Sequence, residues 1–402
     1  MELFGEYDCV VLGEHPAGLW AALHLADLDQ RVLVLPLDPE SGPNALPRQV
    51  ALDFGWTPDD WDRGPDLLQI LTPERRFRIG LTMDAFLEEY QFQFGGSPDH
   101  SSSVSNELVR GLAFYARGSE TGPVIGSEWR AWAGACLDTV YFEKDHGYVV
   151  HKMLRQLSAR GVHIAKPGAL RQIFVDRGNL VGVQLAGSSM MIAARFGFLC
   201  TQIERLRSLM TEPQPWFSDP QGWKFSMKLS CNPSALPVGL GSRMLYVQGG
   251  APILEIHQTH RGEFRLTTQL PLVDESFDRG YQRRLCERMI RVCQEVIPDL
   301  EYNLQMLSPE LRDPERAEKH DLPRMHPFQA AHEVPWGHLV FGASRGLGHT
   351  TPVGNLFLLG DEAYPRQGLW GAFQAAVASL DALAKKDPRQ VGRATPSLNF
   401  RV

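Results

Sequence analysis

The chain is poor in several features at once, and each scarcity removes a class of protein. Among its 402 residues are only six cysteines, Cys9, Cys136, Cys200, Cys231, Cys286 and Cys293, and no two are spaced C-x-x-C. Thiols this sparse exclude a disulfide framework and a thiolate zinc site, and they suit a reducing compartment. No run approaches the ~18 uncharged apolar residues that a spanning helix needs. Basic residues are in deficit, 40 against 47 acidic, for a net charge of −7. That balance argues against a general phosphate-backbone binder, although it is compatible with a local basic patch, and no nucleic-acid partner is expected. No G-x-x-x-x-G-K-[ST] occurs, which excludes phosphoryl transfer by a P-loop. Met1-Glu2-Leu3-Phe4-Gly5-Glu6 lacks the basic-then-apolar order of a secretory leader, so a cytoplasmic location is expected.

What is present is ordinary globular material, 43% hydrophobic and 22% charged, at a length that suggests two domains. Glycine is mildly abundant at 37 residues, and its positions carry more information than its number. Tyr7 to Leu12 reads as a strand buried on both faces, Leu19 to Ala26 as a helix and Arg31 to Leu35 as a second strand. This is a βαβ unit of about 30 residues, the setting in which a glycine turn reads as a dinucleotide fingerprint. The chemistry asks for three glycines: one for the tight turn, one to admit a pyrophosphate, one for helix–strand packing. In Gly13-Glu14-His15-Pro16-Ala17-Gly18 the first and third are present and the second is His15. The acid expected after the second strand, to hold a ribose hydroxyl, is replaced by Pro36, and Asp38 is the nearest candidate for that role.

A second signal lies at the other end. Asn355 to Leu359 is a buried-strand pattern, Gly360-Asp361 a turn, and Gly368-Leu369-Trp370 opens a helix that runs through Ala376. Between the two ends, Val149 to Ser158 predicts an amphipathic helix, and Ile173 to Val175 with Leu180 to Leu185 predicts a hairpin around Arg177-Gly178-Asn179.

Together these blocks resemble the flavoprotein superfamily of phytoene desaturases, related carotenoid oxidoreductases and flavin amine oxidases. The likeness covers roughly 1–45, 145–205 and 330–385, with Glu362 where that family usually has Ala. It implies an α/β fold: an FAD/NAD(P)-binding Rossmann-like domain of the glutathione-reductase type, built from discontinuous segments 1–49, 145–215 and 331–390. An α+β substrate domain, 50–144 and 216–330, would be inserted into it, with 391–402 a C-terminal tail. The cofactor implied is FAD, with no metal. Gly13, His15, Pro16, Ala17, Gly18, Asp38, Ile173, Gly360, Asp361, Gly368, Leu369 and Trp370 would be its contacts. The activity implied is hydride abstraction from a small apolar or amine-like substrate to flavin N5, with Tyr364 and Arg366 as substrate contacts and peripheral membrane contact as an expectation for lipid-like substrates. The flavin would carry the redox chemistry, so no catalytic base is named.

The departures support a second reading. His15 puts a Cβ and an imidazole at the point of closest approach to a pyrophosphate, and Glu14 sets a carboxylate beside a helix N-terminus that otherwise attracts anions. Either FAD is held with an altered grip, or the fold persists as a non-catalytic scaffold or protein partner that has lost the cofactor.

The inserted parts are less specific. Trp56, Trp61, Tyr90, Tyr115 and Trp129 could face a pocket, and Gly95 to Ser103 reads as a surface loop. Met244 to Val247, Ile253 to Ile256 and Glu263 to Thr267 predict antiparallel strands, and Phe277 to Ile297 an amphipathic helix. The Arg283, Arg284, Arg288 and Arg291 stripe on that helix reads as a solvated face, and Cys286 and Cys293 as small hydrophobes on the other. Gly342-Ala343-Ser344-Arg345-Gly346 matches a nucleophile elbow, but no helix pattern follows it and no histidine lies beyond His349, so hydrolysis is rejected. His257 and His260, three apart on a strand, do not share a face and are rejected as a metal pair.

Overall fold

The computed structural model describes residues 5–37, 45–61, 68–80, 82–95, 106–117, 129–142, 146–201, 206, 209–211, 220–249, 251–271, 279–308, 337–341, 348–360, 362–364 and 368–386. The chain divides into two compact units. The first comprises Met1–Trp61, Asp138–Asp219 and Ala343–Arg401, and the second comprises Asp62–Leu137 and Pro220–Gly342.

The first unit is built on a sheet whose strands run His163–Ile164, Val32–Leu35, Glu6–Leu12, Met191–Leu199, Asn179–Leu185 and Leu170–Asp176 in spatial order. The first four are parallel and the last two turn back as an antiparallel hairpin. Leu356–Leu358 adds alongside the end of Met191–Leu199, again in parallel. Helix Pro16–Ala26 crosses over from Glu6–Leu12 to Val32–Leu35, as the βαβ pattern predicts. The apolar runs Cys9 to Leu12, Val32 to Leu35 and Leu356 to Leu359 are all buried, which is why they are continuous rather than alternating. The predicted hairpin forms around Arg177 (φ 49°) and Gly178 (φ 73°), two consecutive left-handed residues of the kind that match the twist of flanking strands.

The boundary between units differs from the sequence expectation. Residues 50–61 and 138–142, predicted to be substrate domain, join the first unit. Val50, Phe54, Trp56, Val140 and Phe142 are part of its core, and Ala45–Pro47 pairs with Thr139–Tyr141.

The second unit carries a sheet in the order Leu304–Ser308, Pro220–Cys231, Glu263–Pro271, Leu254–His260, Arg243–Tyr246, Leu68–Leu71 and Arg76–Ile79, with Gly337–Phe341 also paired to Pro220–Cys231. Its pairs are antiparallel apart from Arg243–Tyr246 with Leu68–Leu71. Met227, Leu229, Met244, Ile256 and Leu266 form one core with Leu285, Cys286, Met289, Val292 and Cys293 of helix Arg279–Val296. Cys286 and Cys293 do pack as small hydrophobes, and burial pushes both thiols up, Cys286 to about 12. Helices Met83–Phe94, Asn106–Arg117 and Trp129–Leu137 complete the unit. Tyr90 and Trp129 are core residues here, and Tyr115 donates to the carbonyls of Gln69 and Arg243, so these three aromatics have structural roles.

Candidate functional site

The sequence signal converges on the turn between strand Glu6–Leu12 and helix Pro16–Ala26. Gly13 has φ +108°, and a Cβ there would lie 2.6 Å from the Cys200 carbonyl oxygen. A Cβ on Gly18 would lie 2.0 Å from Cys200 Sγ. Both glycines are therefore required by the backbone's approach to Cys200, the residue just past strand Met191–Leu199. Gly360 is different: a Cβ there would meet Thr201 O at 3.8 Å, an ordinary contact, so close packing does not demand glycine at that position.

His15 is the N-cap of the helix, with extended backbone (φ −60°, ψ 135°). Its imidazole folds back so that Nδ1 accepts from Ala17 N–H at 3.2 Å. The first N–H groups of a helix have no intrahelical partner, and these free donors are what make a helix start an anion site. Here each is used. His15 N–H donates to Cys200 O at 3.4 Å, Gly18 N–H to His15 O at 2.9 Å and Leu19 N–H to His15 O at 3.2 Å. Pro16, the first helical residue, has no N–H to offer. The imidazole nitrogen thus stands where an anion's oxygen would accept. The turn as folded does not fit a pyrophosphate.

The neighbouring candidates follow the same pattern. Pro36 is buried, and its carbonyl accepts from Gly168 N–H at 3.1 Å. The Ile173 N–H donates to Leu209 O and its carbonyl accepts from Thr211 N–H, so both backbone groups are occupied by the segment 209–211. Trp370 is buried, and its indole N–H donates to Thr139 Oγ1 at 3.2 Å. Leu369, partly buried, packs against the core of the unit, and Gly368 is the first residue of helix Gly368–Lys386. Asp38, Asp361 and Arg366 lie outside the described residues, as do most of the predicted 95–103 loop and the G-x-S-x-G segment 342–346.

Two features were not anticipated. Tyr364 OH and His349 Nδ1 share a hydrogen bond of 2.9 Å, and burial holds His349 below its ordinary pKa, which favours the neutral ring. Glu362, in place of a small residue beside the Gly360 turn, is buried. Among the described residues no group of three or more His, Cys, Asp or Glu could hold a metal ion, and no helix is long and apolar enough to cross a membrane.

Solved structures match this architecture along nearly the whole chain. The fold is that of the FAD-binding Rossmann-type flavoproteins. A myxobacterial chondrochloren halogenase, described as a variant of FAD-dependent halogenases, aligns with TM-score 0.57 and 13% identity over 96% of this chain and 76% of its own. An oxidoreductase from Methanosarcina mazei gives 0.57 and 14%, over 91% and 99%. A geranylgeranyl bacteriochlorophyll reductase-like protein from Thermoplasma acidophilum gives 0.54 and 12%, over 96% and 81%. No protein-family model matches the sequence, and no curated protein matches it. At these identities the likeness establishes the fold and leaves activity to the residues of the site.

Proposed function

We propose that this chain is a flavoprotein-fold protein that has closed its own dinucleotide turn and works without FAD at that turn, as a scaffold or protein partner. The observation that carries this reading is the hydrogen bond from Ala17 N–H to His15 Nδ1, which uses the helix donor that an anion would otherwise take. Glu14 beside it and Pro36 in the place of the ribose acid point the same way.

A second reading is favoured by the match of fold along 91% of the chain. In it the chain is an FAD-dependent oxidoreductase acting on an apolar or amine-like substrate, close to phytoene desaturases and amine oxidases, and His15 gives up Ala17 when the cofactor arrives. Purified full-length protein separates the two. The first reading expects colourless protein, no flavin released on denaturation, and a melting temperature that added FAD does not move. Stoichiometric flavin, or a saturable upward shift in melting temperature with FAD, overturns it in favour of the second.

A further inference from the structure

The sheet of the second unit has two unlike faces. One is covered by helix Arg279–Val296 and is apolar. The other carries a row of basic side chains set directly opposite one another on four adjacent strands. Lys228 pairs with Arg265, Arg265 with His257, and His257 with Arg243. Residues paired in this way share a face, with Cα atoms about 4.5–5.5 Å apart.

Like charges directly opposite one another destabilise a sheet, so such a row calls for a compensating anion. The protein's own acids do not supply one at its outer end. Glu255 and Glu263 lie on the same face one row away, yet neither Arg265 nor Lys228 forms an ion pair among the described residues. Both cations are exposed, while His257 is half-buried and Arg243 buried. Burial, then Arg243, then Arg265 drive His257 down to about 3, so near neutral pH it is an uncharged ring able to donate or accept. In the next row Ser226 Oγ and Thr267 Oγ1 are hydrogen-bonded to each other at 3.1 Å, two hydroxyls bordering the cationic pair.

We propose that this face binds a small oxyanion, the carboxylate or phosphate group of a low-molecular-weight ligand, between Lys228 and Arg265, with His257 and the one hydroxyl proton that the Ser226–Thr267 hydrogen bond leaves free completing the donor set. The site lies on the second unit and stands under either reading of the nucleotide turn. Charge complementarity selects the ligand: two adjacent exposed cations with neutral donors beside them, and Glu255 and Glu263 one row away limiting the site to a small anion. Charge-assisted hydrogen bonds of this kind contribute about 1.5–3 kcal/mol each, so removing one cation weakens binding roughly tenfold or more.

The test uses the full chain with ¹⁵N-labelled histidine, titrated with inorganic phosphate and separately with acetate, against chloride at matched ionic strength. A saturable shift of the His257 ring signals is expected with at least one oxyanion and not with chloride. Saturation by phosphate alone identifies a phosphate group, and saturation by acetate a carboxylate. Lys228→Gln and Arg265→Gln should each weaken the response about tenfold, whereas Arg265→Lys should retain most of it. Both sites are exposed, and a melting temperature no lower than that of the wild type confirms that the variants fold. Equal response to chloride, no saturation with either oxyanion, or full binding in the Lys228→Gln/Arg265→Gln double variant overturns the proposal.

Discussion

Replacing His15 tests whether its imidazole is a cap, and the consequences are calculable. In His15→Ala the Ala17 N–H loses its acceptor, and losing an N-cap side chain costs about 1 kcal/mol, within a range of about 0.5–2. For a unit of this size 1 kcal/mol corresponds to roughly 2–4 °C in melting temperature. His15→Asn places a side-chain oxygen at the same position and should recover most of that loss, and His15→Gly should cost only a few tenths of a kcal/mol. The Gly variant adds a second readout, because it leaves Ala17 N–H free and removes the Cβ from the turn. If the rest of the cradle is sound, FAD at about 100 times its Kd would stabilise His15→Gly by about 2.7 kcal/mol. That exceeds the cost of the lost cap, so the variant with FAD should melt above the wild type with FAD. Urea unfolding and scanning calorimetry with and without FAD measure all four proteins. An Ala variant as stable as wild type, or an Asn variant no better than Ala, would refute the capping argument.

Gly18→Ala should destabilise by about 1–3 kcal/mol through overpacking against Cys200 Sγ, and Cys200→Ala should relieve part of that loss in a double-mutant cycle read by urea unfolding. Asp53→Ala should cost about 1–3 kcal/mol, because the buried Trp20 indole N–H donates to Asp53 Oδ2 at 2.7 Å and would lose its acceptor; Asp53→Asn, which keeps an oxygen, should cost less. His257 has a folded-state pKa of about 3 against an ordinary 6.5. Between those values the unfolded chain takes up a proton that the folded chain refuses, so its contribution is intact above pH ~6.5 and is lost as pH falls toward ~3. Urea unfolding from neutral to acid pH should show a shallower decline in His257→Gln than in wild type, and parallel curves would refute this.

The centre of the first unit was legible because the runs Val10 to Leu12, Val32 to Leu35 and Leu356 to Leu358 are buried throughout. Continuous apolar runs such as Val32 to Leu35 admit few other readings, and the hairpin announced itself through Arg177-Gly178-Asn179. The twelve-residue strand Pro220–Cys231 was missed even though Phe225, Met227, Leu229 and Cys231 alternate with Ser226, Lys228 and Ser230, a clear period of two. Its long-range partners, not any local turn signal, place it mid-sheet. The domain boundary differs because Trp56 reads as a pocket-facing aromatic in the sequence, and nothing local ties it to Phe54 and Phe142. Only tertiary packing shows that they close the core of the first unit. The basic row could not be found by scanning the chain, since Lys228, Arg243, His257 and Arg265 come together only through strand register.

The same limit applies to His15, and it changes what the missing glycine means. Read along the chain, histidine in that position is a defect in a phosphate-binding turn. Physically, a helix start holds donors that something must satisfy. A chain that binds an anion there leaves the task to the ligand, and glycine admits it. A chain that folds without the anion needs an acceptor of its own on the residue before the helix, with backbone in the extended region. His15 supplies both. Gly13 and Gly18, by contrast, are fixed by the approach to Cys200 whether or not a ligand is present, so their survival says nothing about cofactor. Of the three motif positions, the one where the approach to Cys200 does not demand glycine is the one that carries histidine, and its imidazole satisfies the Ala17 donor.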